Sequence, residues 1–83
     1  MACTQYITET KIFSINSQTD TNANSVLFIN TGSDPVVIDG LLLQPSQSWS
    51  IEGNYNEILV KIYNFRFITT VAPSLTIIYK RYI

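Results

Sequence analysis

Apolar residues in this chain recur mostly at every second position, the spacing of a half-buried β-strand, and no stretch repeats them at helical spacing. Ser48–Glu52 alternates strictly: Trp49 and Ile51 point one way, Ser48, Ser50 and Glu52 the other. Ser25–Asn30 puts Val26 and Phe28 on one face and Leu27 and Ile29 on the opposite one. Val36-Val37-Ile38 and Leu41-Leu42-Leu43 flank Asp39-Gly40, the signature of a two-residue type I′ hairpin. Strands are also expected near Thr4–Thr8 and Lys11–Ile15, which merge if the chain stays extended through Glu9. The longest expected strand runs from Glu57 to Thr69. Its even face is apolar at the start (Ile58, Val60, Ile62) and its odd face at the end (Tyr63, Phe65, Phe67), which predicts a bulge near Tyr63-Asn64. Ala72-Pro73 breaks the chain before a last strand, Ser74–Ile83.

Turn chemistry fills the gaps. Thr31–Pro35 and Gln44–Gln47 carry Gly and Pro where turns use them. Asn16–Ser25 is apolar only at Ala23 and is expected to be a solvated loop. Seven or eight short antiparallel strands in one small domain predict an all-β fold, a β-sandwich or a barrel. No segment repeats at a period of 20–50 residues, which excludes a solenoid.

Three strands are apolar on both faces. A domain of 83 residues buries only about 60–65% of its chain surface, so it cannot hide every such residue. Some of Leu27, Ile29, Val37, Leu42, Ile78 and Tyr82 are expected to reach the surface, and apolar patches there mark association. A last strand ending in Leu75–Ile83 with a free edge would also aggregate unless it paired with another subunit. The residues expected at an interface are Leu27, Ile29, Ile78, Tyr82 and Ile83, with Lys80 and Arg81 facing an acidic surface. Homo-oligomers and larger assemblies are the partners this predicts.

Composition narrows the chemistry. The chain is 46% hydrophobic and 13% charged with a net charge of −1, the opposite of a disordered polyelectrolyte. That balance gives no reason to expect nucleic acid as a partner. Residues 1–57 hold all six acids against Lys11, and residues 58–83 hold Lys61, Arg66, Lys80 and Arg81 with no acid. Either copies attract one another head to tail, or the halves interleave and the charges cancel locally. Histidine is absent and Cys3 is the single cysteine, so no disulfide, zinc site or Cys–His pair can form within the chain. No catalytic, cofactor-binding or metal-binding residue is expected. Glu52 and Glu57 flank a turn and read as solvated charges. The alternating Tyr63, Phe65 and Phe67 beside Arg66 resemble a base-stacking strand in composition, yet such alternation is the ordinary signature of a core. Trp49, Tyr55 and Tyr63 could instead line a sugar-stacking platform, which keeps a small carbohydrate- or ligand-binding module as the alternative function. The longest apolar run, Val26–Ile29, is far too short to span a membrane, and the N-terminus lacks the pattern of a signal peptide.

Asn30-Thr31-Gly32, Pro35–Gly40, Leu43–Ser48 and Ile51-Glu52-Gly53 together resemble small all-β virion proteins of tailed bacteriophages, of the capsid-decoration, head-fibre or tail-accessory kind. Those proteins carry similar turn residues between short strands, with Gly where this chain has Ser46. The resemblance spans about residues 30–53 and implies a non-enzymatic structural protein, synthesised in a host cytoplasm, carried in a virion in many copies and held by symmetric contacts with itself or other virion proteins. It supplies no catalytic residue.

Overall fold

The computed structural model describes residues 5–54 and 57–82; Cys3, Tyr55 and Ile83 lie outside them. Among the described residues eight strands form: β1 (Tyr6–Phe13), β2 (Ser17–Asp20), β3 (Ser25–Asn30), β4 (Val36–Ile38), β5 (Leu41–Leu43), β6 (Ser48–Glu52), β7 (Ile62–Phe67) and β8 (Leu75–Tyr82). They make two four-stranded sheets ordered β1-β8-β3-β6 and β2-β7-β4-β5, with every pairing antiparallel. The expected all-β fold forms, and of the two architectures foreseen, sandwich or barrel, it is the sandwich.

The order has a simple origin. β4 pairs with β5, β3 with β6, β2 with β7 and β1 with β8. The chain is therefore one long two-stranded ribbon whose tip is the Asp39-Gly40 turn. Both tip residues have positive φ, 51° and 91°, as a type I′ turn requires. Folding the ribbon back and forth between two layers adds the pairings β3·β8 and β4·β7 and produces a jelly roll. The body is long and thin, 50 × 18 × 18 Å, and its radius of gyration of 13.6 Å exceeds the ~12 Å of a compact chain this size.

One face of the ribbon fills the space between the layers. Val26, Phe28, Val36, Ile38, Leu75, Ile77 and Tyr79 are all but inaccessible to solvent. Full burial of a side chain of this kind contributes about 1.5–3 kcal/mol. Aromatic rings bridge the sheets. Trp49 stacks on Phe28 at 5.4 Å, Tyr63 meets both edge-on, and Phe13 packs on Phe65 at 4.9 Å.

Two buried asparagines hold the bends at either end of β3. The amide of Asn30 donates to the carbonyls of Asp34 (2.8 Å) and Leu43 (3.0 Å), and its oxygen accepts from the Gly32 N–H. Gly32 is required there because a Cβ would sit 2.4 Å from the Ala72 carbonyl oxygen. Asn24, just before β3, donates to the carbonyls of Asn54 and Glu57. Opposite Asn30, Gln44–Gln47 forms a type II turn closed by the Gln47 N–H on the Gln44 carbonyl, with Pro45 second and Ser46 third at φ 69°.

Four expectations change. Asn16–Ser25 is not a solvated loop: it holds β2, and Thr19, Thr21, Ala23 and Asn24 are buried. Its polarity is compatible with burial because Thr21 bonds the backbone of Leu59 and Lys61. The strand expected at Glu57–Thr69 is regular only over Ile62–Phe67, and no swap of faces occurs. Tyr63, Phe65 and Phe67 point inward, while Ile58, Val60 and Ile62 stay exposed. Of the two alternatives for the first strands the continuous one holds, with its end moved from Ile15 back to Phe13. Finally, β8 is not an edge: it lies between β1 and β3, and the edges of its sheet are β1 and β6.

Replacing Asn30 with Ala should cost about 2 kcal/mol, because the Asp34 and Leu43 carbonyls lose a buried donor while the Gly32 N–H keeps the Ser74 carbonyl. Ser46→Gly should stabilise by about 1 kcal/mol by relieving the left-handed conformation, raising Tm by about 4–8 °C. Urea and thermal unfolding measure both, and an unchanged Ser46→Gly would mean the turn relaxes without strain.

Candidate functional site

Strand alternation and register bring most of the expected interface residues onto one surface, the outer face of the β1-β8-β3-β6 sheet. Its rows can be read across the four strands. Thr10, Ile78, Leu27 and Ser50 form one, Ile12, Thr76, Ile29 and Ser48 the next, and Thr8, Lys80, Ser25 and Glu52 a third. Tyr6 lies opposite Tyr82 beyond them. The middle of the face is thus a small aliphatic patch, Ile12, Ile78, Leu27 and Ile29, framed by Ser and Thr hydroxyls. Leu27, Ile29 and Ile78 are half-buried by their neighbours, whereas Ile12 is 69% exposed. An open groove of about 350 Å³ runs over Leu27 and Ile78 between Lys80 and Glu52. That is near the lower limit for a small-molecule pocket, and the groove is far from enclosed.

Lys80 and Arg81 face opposite ways, and only Lys80 lies on this surface. The Lys80 ammonium lies 4.5 Å from the centre of the Tyr6 ring on the outer side. Arg81 points inward, pairs with Glu9, donates to the Thr21 carbonyl (3.1 Å) and covers the Tyr79 ring at 4.5 Å. Lys61 pairs with Asp39 at 2.9 Å. Basic residues of the last third therefore meet acids of the first half within one chain, so at these pairs the charges cancel locally.

Other candidate groups are used by the fold. Trp49 gives one ring face to Phe28 and meets Tyr63 edge-on, so its indole is tied into the core. Tyr55, its partner in the sugar-platform reading, is outside the described residues. Tyr63, Phe65 and Phe67 are buried, and Arg66 stands on the opposite face of β7. Glu57 accepts from the Asn54 N–H through its carboxylate (2.6 Å), a turn-closing role. Among the described residues no group of three or more His, Cys, Asp or Glu is placed to hold a metal.

Tyr6 and Ile12, which frame the face, are not among the expected interface residues, because the sequence leaves open whether the strands at Thr4–Thr8 and Lys11–Ile15 are continuous. The period-two run of Tyr6, Thr8, Thr10 and Ile12 was the available signal. The apolar run of Ile58, Val60 and Ile62 suggests a swap of faces, and no local signal separates these exposed residues from core positions.

No protein-family model and no curated protein matches the chain. Among solved structures it is similar to a de novo designed double-stranded β-helix determined by solution NMR, with a TM-score of 0.50 and 16% identity over 93% of this chain and 99% of that one. At that identity the likeness concerns the fold alone, and it agrees with the ribbon described above.

Tyr79 links the two sheets by a hydrogen bond between its hydroxyl and that of Thr19. Burial pushes its phenol above the ordinary value of 10.0. The hydrogen bond and ion pair to Asp39 likewise raise Lys61 above 10.5. Both groups hold their protons more tightly in the folded state than in the unfolded chain. Their stabilisation is complete below about pH 10 and is lost as pH rises through the folded-state values. Unfolding free energy should therefore fall on the alkaline side. Tyr79→Phe should cost about 1 kcal/mol at neutral pH and lessen that alkaline fall; a variant with the wild-type pH profile would assign the fall to other groups.

Proposed function

We propose that the chain is a non-enzymatic structural subunit of a viral particle, of the phage capsid- or tail-accessory kind, acting by association through the outer face of its β1-β8-β3-β6 sheet. The observation that carries this reading is the aliphatic patch of Ile12, Ile78, Leu27 and Ile29, which no other described element covers. Contact with a neighbour would remove that surface from water at roughly 25 cal/mol per Å². Lys80 and Glu52, at opposite sides of the groove, would set orientation rather than strength. The interface in this reading consists of Leu27, Ile29, Ile78, Lys80 and Tyr82, with Arg81 acting behind it as a fold residue.

Two further facts support the reading. The turns that carry the resemblance to phage virion proteins are structural: Asn30 and Gly32 hold one bend, and Gln44–Gln47 closes another. The space between the sheets is packed with aromatic rings rather than arranged around a ligand. The jelly roll itself recurs in viral capsid domains and equally in lectins and cupins, so it agrees with the reading without selecting it. Homo-oligomers or other virion proteins are the partners, and the virion is the location.

Particles purified from cells that make the chain should contain it in many copies by quantitative mass spectrometry. Leu27→Asp should leave the domain folded, at a cost of about 1–2 kcal/mol, yet lower its incorporation at least tenfold. Particles free of the wild-type chain, or full incorporation of Leu27→Asp, would overturn the proposal.

A further inference from the structure

We infer that β1 is a self-pairing edge, and that a second copy of this chain docks antiparallel to it about a two-fold axis centred on Thr10. The four sheet edges are unequal. β5, β2 and β6 have three, four and five residues, whereas β1 has eight, and among the described residues no strand pairs with its outer side. A long, regular edge presents a row of unpaired N–H and C=O groups, which short edge strands largely avoid. Its side chains are unusually apolar for an edge, with Tyr6, Ile7 and Ile12 about half or more exposed.

The charges of β1 select both the occupant and the register. Tyr6–Phe13 reads YITETKIF, with Glu9 and Lys11 placed symmetrically about Thr10. In an antiparallel pair with its own copy centred on Thr10, each Glu9 lies opposite the copy's Lys11. Ile7 then faces Phe13, Thr8 faces Ile12, and Thr10 faces Thr10. Centring the axis one residue earlier sets Glu9 against Glu9, and one residue later sets Lys11 against Lys11, both of which disfavour pairing. Within one chain the Lys11 ammonium is already 3.8 Å from the Glu9 carboxylate, so pairing would extend an existing contact into an alternating row. The ion pairs fix register, while backbone hydrogen bonds and burial of Ile7, Phe13 and Ile12 supply attraction.

Residues opposite one another in an antiparallel pair project from the same side. The outer faces of both copies would therefore form one surface across eight strands, and the contact is isologous, the same patch on each side. The inference needs only β1 and does not depend on the particle reading.

The test uses the full chain carrying Cys3→Ser. Thr10→Cys should give an interchain disulfide dimer under mild oxidation with oxidised glutathione, because the two-fold brings that position onto itself within bridging distance. Thr8→Cys should yield at least tenfold less, and Thr8→Cys with Ile12→Cys should restore the dimer. Light scattering on the unoxidised Cys3→Ser protein should show a mass that rises toward two chains with concentration, and Glu9→Lys should shift that rise at least tenfold higher in concentration. Equal cross-linking by Thr8→Cys and Thr10→Cys, or a monomer at every concentration with no cross-link, would overturn the inference. Neither outcome touches incorporation into particles, which reports on the sheet face instead.

Discussion

A two-stranded ribbon can be folded into two layers only if each bend satisfies the backbone groups that leave one sheet before they join the other. Everything else in this protein depends on that. Six of its seven connections cross between sheets, and only the β4–β5 turn stays within one. At the crossings flanking β3, Asn24 and Asn30 supply the missing donors, and their carbonyl partners lie up to 33 residues away. Thr21 plays the same part beside β2, accepting from the Lys61 N–H at 2.9 Å while donating toward the Leu59 and Lys61 carbonyls. Buried polar side chains are costly when unpaired, so these few residues decide where bends can form.

With the bends held, the core follows almost automatically. Each strand turns one set of alternate residues inward, and the layers meet through Phe28, Trp49, Tyr63 and Phe65. Where the inner face of β1 and β8 runs out of apolar residues, Glu9, Arg81 and Lys11 take over. Arg81 covers the Tyr79 ring while its guanidinium is held by Glu9 and the Thr21 carbonyl. The inward-facing side of this strand pair thus changes from a buried apolar stretch to a partly exposed ionic one, with Tyr79 at the boundary, wrapped by cations on its ring and hydrogen-bonded to Thr19 at its hydroxyl.

What was legible in the sequence was local. Alternation assigned the inner faces of β3, β6 and β8, and Asp39-Gly40 announced the ribbon's tip. Ser46, in the place of a glycine, does adopt the left-handed φ that the turn demands. What could not be read was set by residues distant in sequence. Thr19, Thr21 and Asn24 look solvated until their partners from Leu59, Lys61, Glu57 and Tyr79 arrive. Ile58, Val60 and Ile62 look buried until Tyr63, Phe65 and Phe67 take the inner face. For the interaction face, Leu27, Ile29 and Ile78 could be grouped from alternation alone. That Lys80 and Arg81 face opposite ways follows from the same rule, but only the register shows Arg81 committed to Glu9.

The ribbon's two arms are treated unequally. At the tip, β4 and β5 are three residues each, tied to β7 and closed by a tight turn, so little unpaired backbone is exposed. At the other arm, β1 and β8 are eight residues each, and β8 is enclosed while β1 is not. An extended body only 18 Å across leaves little core to shelter apolar side chains on such an arm, which is where Tyr6, Ile7 and Ile12 are found. Apolar exposure is not confined to that arm, since Leu41 and Leu42 at the tip and Val60 and Val71 in the connections are exposed as well. A ribbon wound this thin satisfies its interior at the bends, while its longest edge and outer sheet face remain open to solvent.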